Sequence, residues 1–471
     1  MGIGLIVLGL FVLYWRTQKY YHLIDDIVRR WGYLYIVPEV SPPPQFYSSK
    51  PSKWRHLFLI ITHALNVWLV YMLWGWVPAI LFAFSPISVP ATAWLTGGYY
   101  AVTALLSLTA YFFIQLYPNF VGVIIASLFF TASLGSTITC LGLPFTFLIF
   151  NPWGLFLFWP TLMYLKGRRF SRGYQIRDMG KQDKFGIHKL PVMVKTVAYY
   201  IYKQIFPYRL AFFQHFGEDY VRDKECRDYM ESLNKWFWIS LASIIVFVVI
   251  GWQFSPIGVV WFLFLIGPFS QFKVLGQFVA ERYMYLPSIG WYLILGNALA
   301  PYPILLWVVI GLYVLRSHFY IPAYEKIESL YEDGIRNHPE CLANYANLGE
   351  RYIHIGRLLD GRDVLQKGID LDKDNFLCYT NMAAFWIQVK DIKKGLYYTD
   401  KSIDLGKTKS SWYIVNAMRN QRREVQAFEK KYNREVLFAD QFKKKEEKPN
   451  ELTGSSVVKA AEEALSAVAM G

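Results

Sequence analysis

Long apolar and aromatic runs, separated by short polar turns, recur from residue 3 to residue 315, and they constrain the fold more than any other feature. In hydrocarbon the backbone must satisfy its own hydrogen bonds, so runs of this length read as membrane helices. The predicted spans are residues 3–15, 57–74, 77–84, 99–117, 120–136, 141–165, 191–213, 236–254, 256–269, 288–299 and 304–315. That makes about eleven crossings of a hydrocarbon layer roughly 30 Å thick. The first run is short and follows Met1-Gly2 without a basic leader or an A-x-A site. It therefore reads as a retained span or signal-anchor. The sixth is interrupted by Pro144 and by Asn151-Pro152, and the segment 16–54 reads as a loop holding Asp25-Asp26 and Pro42-Pro43-Pro44.

Charge supports the membrane reading. Only 18% of residues are charged, against about 25% in soluble chains. The formal net charge of +14 is concentrated in loops such as 166–189, with eight Lys or Arg against two Asp. Basic loops are expected on the cytoplasmic side. With no RNA- or DNA-binding motif in the chain, nucleic acid is excluded as the partner that the charge serves. Residues 191–213 carry Lys195, Lys203 and Arg209, so they read either as a cavity-lining span or as an interfacial helix. As a span, they place the Asp25-Asp26 loop, the 85–98 turn, the Glu281-Arg282 loop and the C-terminal region together on the non-cytoplasmic face. Cys140, Cys226, Cys341 and Cys378 form no CxxC pair and have no ligand spacing with His, which argues against a structural zinc.

The expected fold class is all-α: a polytopic transmembrane domain over residues 1–320, a helical repeat domain over 321–442, and a charged linker and tail over 443–471. A period of 34 residues marks the repeats, with Tyr345, Leu348, Gly349, Tyr352, Gly361, Leu365 and Gly368 recurring as Tyr379, Met382, Ala383, Trp386, Gly395 and Ser402. This spacing is that of a short tetratricopeptide (TPR) α-solenoid, in which small residues let paired helices approach. Residues 327–339, with Gly334 and Pro339, read as the second helix of a partial repeat. Such arrays bind extended peptides or proteins in a groove. Tyr345, Tyr352, Tyr379 and Trp386 are the candidate contacts for an acceptor or partner.

Two charged clusters stand out at the lipid boundary: Asp25-Asp26, and Glu281-Arg282 within A-E-R-Y-M-Y-L-P-S-I-G-W at residues 280–291. Intramembrane or boundary charges are functional candidates. The plain alternative is an interfacial turn in which Tyr283 and Tyr285 anchor among headgroups and Pro287 opens the next helix. Adjacent aspartates can act as a base or share a divalent ion. They can equally cap a loop helix against Arg29 and Arg30.

The chain resembles the TMTC-type transmembrane and tetratricopeptide-repeat O-mannosyltransferases and their prokaryotic relatives, which have the GT-C glycosyltransferase fold. The similar pieces are residues 280–291, H-A-L-N at 63–66, S-P-I-S-V-P-A-T-A-W-L-T-G at 85–97, and V-K-T-V-A-Y-Y with I-F-P-Y-R-L within 194–210. The resemblance implies a polyprenyl-phosphate sugar donor, protein O-glycosylation or transfer to a glycan hydroxyl, and an extracytoplasmic active site in a bacterial or archaeal inner membrane. It implies that Asp25-Asp26 supplies the catalytic base or a metal contact, as ligands of a divalent cation such as Mg or Mn. Arg282, Glu281, Arg209 and His63 would contact the donor phosphate, although His63 also suits an interhelical hydrogen bond. The chain departs from relatives at Ser85-Pro86, where they read H-P, at Gly97-Gly98-Tyr99-Tyr100, where they read G-R-x-D, and at Ser136-Thr137-Ile138. A catalytically degenerate, membrane-anchored scaffold for protein interaction is the alternative. A polymerase or ligase of lipid-linked saccharides is a third reading.

Overall fold

A computed structural model of the chain describes residues 2–20, 23, 53–150, 152–170, 189–212, 214, 232–271, 279–389 and 391–409. Asp25, Asp26, Cys226 and the tail beyond 409 lie outside the described residues, as does most of the basic loop. Among the described residues all regular structure is helical. They divide into two compact units, the first ending at Asp333 and the second beginning at Gly334. The first unit extends past the expected limit at 320. Helix Pro303–Tyr320 continues into the short 3-10 helix Ile321–Tyr324, and Tyr320, Ile321 and Tyr324 are all fully buried.

Among the described residues, four helices in the first unit are long and apolar enough to cross a membrane: Lys53–Trp74, Gly98–Leu116, Lys235–Phe254 and Pro303–Tyr324. A fifth crossing arises if Trp76–Phe84 and Pro86–Ala93 act as one span, broken by a 58° bend. Ser85 makes that bend: its hydroxyl accepts from the Ile87 N–H and receives the hydroxyl of Tyr292, while Pro86 removes a backbone donor. The remaining apolar helices are shorter. Phe120–Ser136, Pro256–Ile266 and Ser288–Leu299 coincide with apolar runs read from the sequence but are shorter than these four, and the first helix, Ile3–Tyr14, is 12 residues long. The expected sixth span is divided into Ile138–Gly142, Leu143–Phe150, Pro152–Leu157 and Phe158–Phe170. Residues 191–213 do not form one long helix either. Leu190–Ile205 has 16 residues, about 24 Å at 1.5 Å per residue.

The outer faces of the long helices are apolar. Trp238, Ile239, Val249 and Ile250 of Lys235–Phe254 are each more than half exposed, as suits contact with acyl chains. Inside, close approach is built on small residues. A Cβ on Gly258 would stand 2.5 Å from the Gly290 carbonyl oxygen, and one on Gly290 would stand 2.4 Å from that of Gly258. Helices Pro256–Ile266 and Ser288–Leu299 therefore touch backbone to backbone, the small-residue mode of membrane helix packing. This crossing holds the 280–287 segment from its C-terminal side.

The second unit is built of helix pairs. Leu342–His354 packs on Leu358–Leu371, and Phe376–Gln388 on Ile392–Lys409. The second pair begins 34 residues after the first, at Phe376 against Leu342 and at Ile392 against Leu358. Tyr345, Leu365, Cys378, Tyr379, Met382 and Phe385 make its core. Tyr345, Tyr352 and Tyr379 are thus buried, between 5% and 8% exposed, because the repeat spends these rings on its own interior. The expectation that they face an acceptor is corrected accordingly. Trp386 is half-buried, with the Lys394 ammonium 3.9 Å from the centre of its ring.

Candidate functional site: the Glu281–Tyr285 turn

Residues 281–284 form a 3-10 turn entered through an extended Ala280 and left through Tyr285 towards Pro287 and helix Ser288–Leu299. The proline ahead of the helix fixes the exit, since its φ suits a helix start. The carbonyls the turn leaves over are taken up: Ser288 Oγ donates to Tyr285 O at 2.9 Å, and Trp261 Nε1 donates to Leu286 O at 2.9 Å. Ala280, Glu281, Met284 and Tyr285 are at most 2% exposed. This burial excludes the interfacial-anchor reading for Tyr285.

Tyr285 instead points into the helix bundle. Its hydroxyl stands 2.5 Å from His63 Nδ1 and accepts from Asn66 Nδ2 at 3.2 Å. The other ring nitrogen, His63 Nε2, is 3.2 Å from Ala83 O, which can only accept. A neutral His63 thus carries its proton on Nε2 and accepts the Tyr285 O–H on Nδ1. Asn66 Nδ2 also donates to Ala101 O at 2.9 Å. Both nitrogens of His63 are engaged within the protein, which places it as an interhelical tie and not as a contact for a donor phosphate.

Glu281 ties the turn to the segment after helix Leu190–Ile205. Its Oε1 accepts from the backbone N–H of Ala211 at 3.1 Å and from the side-chain amide of Gln214. The Tyr199 hydroxyl donates to the Gln214 amide oxygen, and Lys203 Nζ donates to the Arg209 carbonyl. Burial raises the Glu281 carboxyl above its ordinary range, and the nearby Lys203 charge pulls it back. A carboxylate occupied by two protein donors is a brace, which revises the expected role of Glu281 in contacting phosphate. Arg209 is half-buried, and its backbone carbonyl belongs to the same brace.

Arg282 is half-buried and lies among three aromatic rings. Its guanidinium carbon is 5.3 Å from the ring centre of Trp94, 5.1 Å from Phe212 and 5.1 Å from Tyr283. Trp94 and Phe212 meet edge to face at 4.9 Å, and Tyr283 stacks on Phe269 at 4.3 Å, so the box is itself packed. Cation–π contact of this kind holds a guanidinium in place. Such a group suits planar, bidentate recognition of phosphate or carboxylate.

Pieces far apart in sequence meet at this turn. His63 and Asn66 reach Tyr285, Trp94 reaches Arg282, and Tyr199 reaches Glu281 through Gln214. Sequence reading missed Trp94, Phe212 and Gln214 as members of the site. Trp94 lies within a stretch already singled out, whereas no local signal marks Phe212 or Gln214. Tyr100, at the departure from G-R-x-D, lies nearby, its ring 5.9 Å from that of Tyr283. The expected divalent cation would rest on Asp25 and Asp26, outside the described residues. Among the described residues no group of three His, Cys, Asp or Glu side chains is placed to hold a metal. Comparison with family models, with curated proteins and with solved structures gives no match.

Proposed function

We propose that the chain is a membrane glycosyltransferase that moves a sugar from a polyprenyl-phosphate donor to a hydroxyl of a protein or glycan. The proposal includes a GT-C-like domain of about eleven spans, a TPR solenoid that engages acceptor or partner, and an extracytoplasmic site in a bacterial or archaeal inner membrane. One observation carries it: a guanidinium held among three rings, at the point where the separated pieces that resemble the TMTC-type enzymes come together.

In this reading Arg282 pairs with the oxygens of the donor phosphate and stabilises the charge that grows there as the sugar–phosphate bond breaks. Asp25 or Asp26 takes the proton of the acceptor hydroxyl, whose oxygen attacks the anomeric carbon opposite the departing phosphate. The product is inverted, and the polyprenyl phosphate leaves with the electron pair of the broken bond. Glu281 acts indirectly, by keeping Ala211, Phe212 and Gln214 against the turn. Asp25→Asn and Asp26→Asn, each inserted normally, are expected to lose transfer from a lipid-linked sugar in membranes. Full activity in both variants sinks the assignment of the base.

A second reading, a membrane-anchored scaffold without transfer activity, is favoured by one feature: Gly98 and Tyr100 stand where the TMTC-type relatives carry the Arg and the Asp of G-R-x-D. On that reading Arg282→Ala leaves every function of the protein unchanged, and partner recruitment by the second unit persists.

A further inference from the structure

Two of the segments that meet at the turn bury polar groups with no hydrogen-bond partner in the protein. Gln204 is 1% exposed, and neither its amide nitrogen nor its amide oxygen has a hydrogen-bond partner. Trp94 is 2% exposed, and its indole Nε1–H is also unpartnered. Nearly all buried side-chain polar atoms in folded proteins have partners, because leaving one unmade forfeits its hydration without return. With the Tyr200 hydroxyl, one helical turn before Gln204 and also unpartnered, four such atoms on two segments need a cause.

Their placement supplies it. Trp94 forms one wall of the Arg282 box. Gln204 lies one helical turn beyond Tyr200 and next to Lys203, on the buried face of Leu190–Ile205. The helix meets the turn on this side: Lys203 Nζ donates to the Arg209 carbonyl, two residues before the Ala211 N–H that Glu281 accepts, and Tyr199, next to Tyr200, bonds the Gln214 amide that donates to Glu281. Gln204 therefore faces the same side of the site.

The chemistry of the unused atoms then narrows the ligand. An indole N–H and an amide NH2 donate, but an amide oxygen only accepts. A bare phosphate ester accepts and would leave that oxygen unmatched. A sugar hydroxyl donates and accepts at once, and a sugar's C–H face packs on aromatic rings. We propose that Trp94 and Gln204 form a sugar-reading subsite, hydrogen-bonding the hydroxyls of a phosphate-linked sugar whose phosphate rests on Arg282. The inference depends on the donor reading above and adds to it the residues that distinguish a glycosylated lipid from its bare phosphate.

The test uses the full chain in lipid nanodiscs, titrated with a short polyprenyl phosphate and with the same lipid carrying glucose, mannose or N-acetylglucosamine. The wild type is expected to bind one glycosylated lipid at least about tenfold more tightly than the bare phosphate lipid. Gln204→Leu removes the unpartnered amide at similar volume, so without lipid it should unfold at a higher temperature than the wild type. It should also bind the glycosylated lipid no better than the bare one, with affinity for the bare lipid unchanged. Trp94→Phe keeps the ring wall and loses the N–H, and should reduce the same preference in part. A preference intact in both variants overturns the subsite. Wild-type binding that is equal for all the lipids also overturns it, while leaving the phosphate reading in place. Wild-type binding of none of them overturns both. Arg282→Ala weakens all the lipids alike if the phosphate reading holds, which separates that contact from the sugar contacts.

Discussion

The side-chain amide of Gln214 donates to the carboxylate of Glu281, which also accepts from the backbone N–H of Ala211, and all three residues are buried. The bonds pin Ala211 and Gln214 to the 3-10 turn and so hold Phe212 against the Arg282 guanidinium. Glu281→Ala leaves two buried donors without an acceptor, at a cost of roughly 1–3 kcal/mol for each group left unmade. Unfolding of the purified protein in detergent is expected to shift to lower temperature by a corresponding amount. Glu281→Gln retains an acceptor oxygen and should lose much less.

The same pair has a pH signature. Burial raises the Glu281 carboxyl above its ordinary 4.5, so the folded protein holds this proton more tightly than the unfolded chain does. The resulting stabilisation is complete below the unfolded value and is lost as pH rises through the raised one. Relative to Glu281→Gln, which has no proton to lose, the wild type should therefore gain stability as pH falls from neutral into the acid range. Paired unfolding midpoints across that range check this. A wild type that loses ground to the variant on acidification contradicts it.

Arg282→Ala is expected to lower transfer from a lipid-linked sugar by roughly a hundredfold or more, the scale seen when a donor to developing charge is removed. Arg282→Lys keeps the charge but not the planar fork or its stacking among three rings, so it should recover only a small part of the rate. Initial rates in membranes containing equal amounts of each variant decide this. Equal rates for all three would remove Arg282 from the chemistry.

How much of this could be read from the sequence differs from piece to piece. Apolar runs located most of the helices, because lipid leaves so few alternatives for a backbone. The 34-residue register is likewise local, and the helix starts at Leu342, Leu358, Phe376 and Ile392 follow it. Breaks within apolar stretches were harder to see. The 138–170 region is divided, and Leu190–Ile205 ends well before 213, because prolines and tertiary fit decide where a run stops. The aromatic residues of the repeat illustrate a different gap. Their spacing marks Tyr345 and Tyr379 as important, but spacing does not separate a packed ring from a presented one. The partners of Arg282 were the least legible. Trp94 and Phe212 reach it, and Gln214 reaches the neighbouring Glu281, from two other segments, and only the fold brings them together.

Tyr285 offers a prediction about the bundle. Its hydroxyl links His63 and Asn66, which lie on one helix, to the turn that carries Arg282. Tyr285→Phe preserves the ring and its packing against Phe82, 5.1 Å away. It deletes only the hydroxyl, at a cost of about 0.6–2 kcal/mol for an interhelical hydrogen bond in a membrane protein. A modest fall in unfolding temperature is expected. Transfer should fall further than stability does, since the turn loses its link to that helix. A variant with lowered stability but wild-type rate would show that the tie is purely structural.

The repeat unit gives a test in which two effects of known sign compete. Gly368 sits inside helix Leu358–Leu371, where Gly→Ala alone would stabilise by up to about 1 kcal/mol. A Cβ at that position, however, would meet Cys378 Sγ at 2.6 Å and Tyr345 Cβ at 3.0 Å. Both are core atoms of the second unit, with little room to retreat, and overpacking of this kind costs roughly 1–3 kcal/mol. Packing should therefore win, and Gly368→Ala should destabilise the second unit despite its better helix propensity. Limited proteolysis of the full chain is the measurement: the variant should be cleaved faster within residues 342–409, while cleavage in the first unit keeps its wild-type rate. Slower cleavage in the variant would mean that the helix pairs are looser at this contact than their geometry implies.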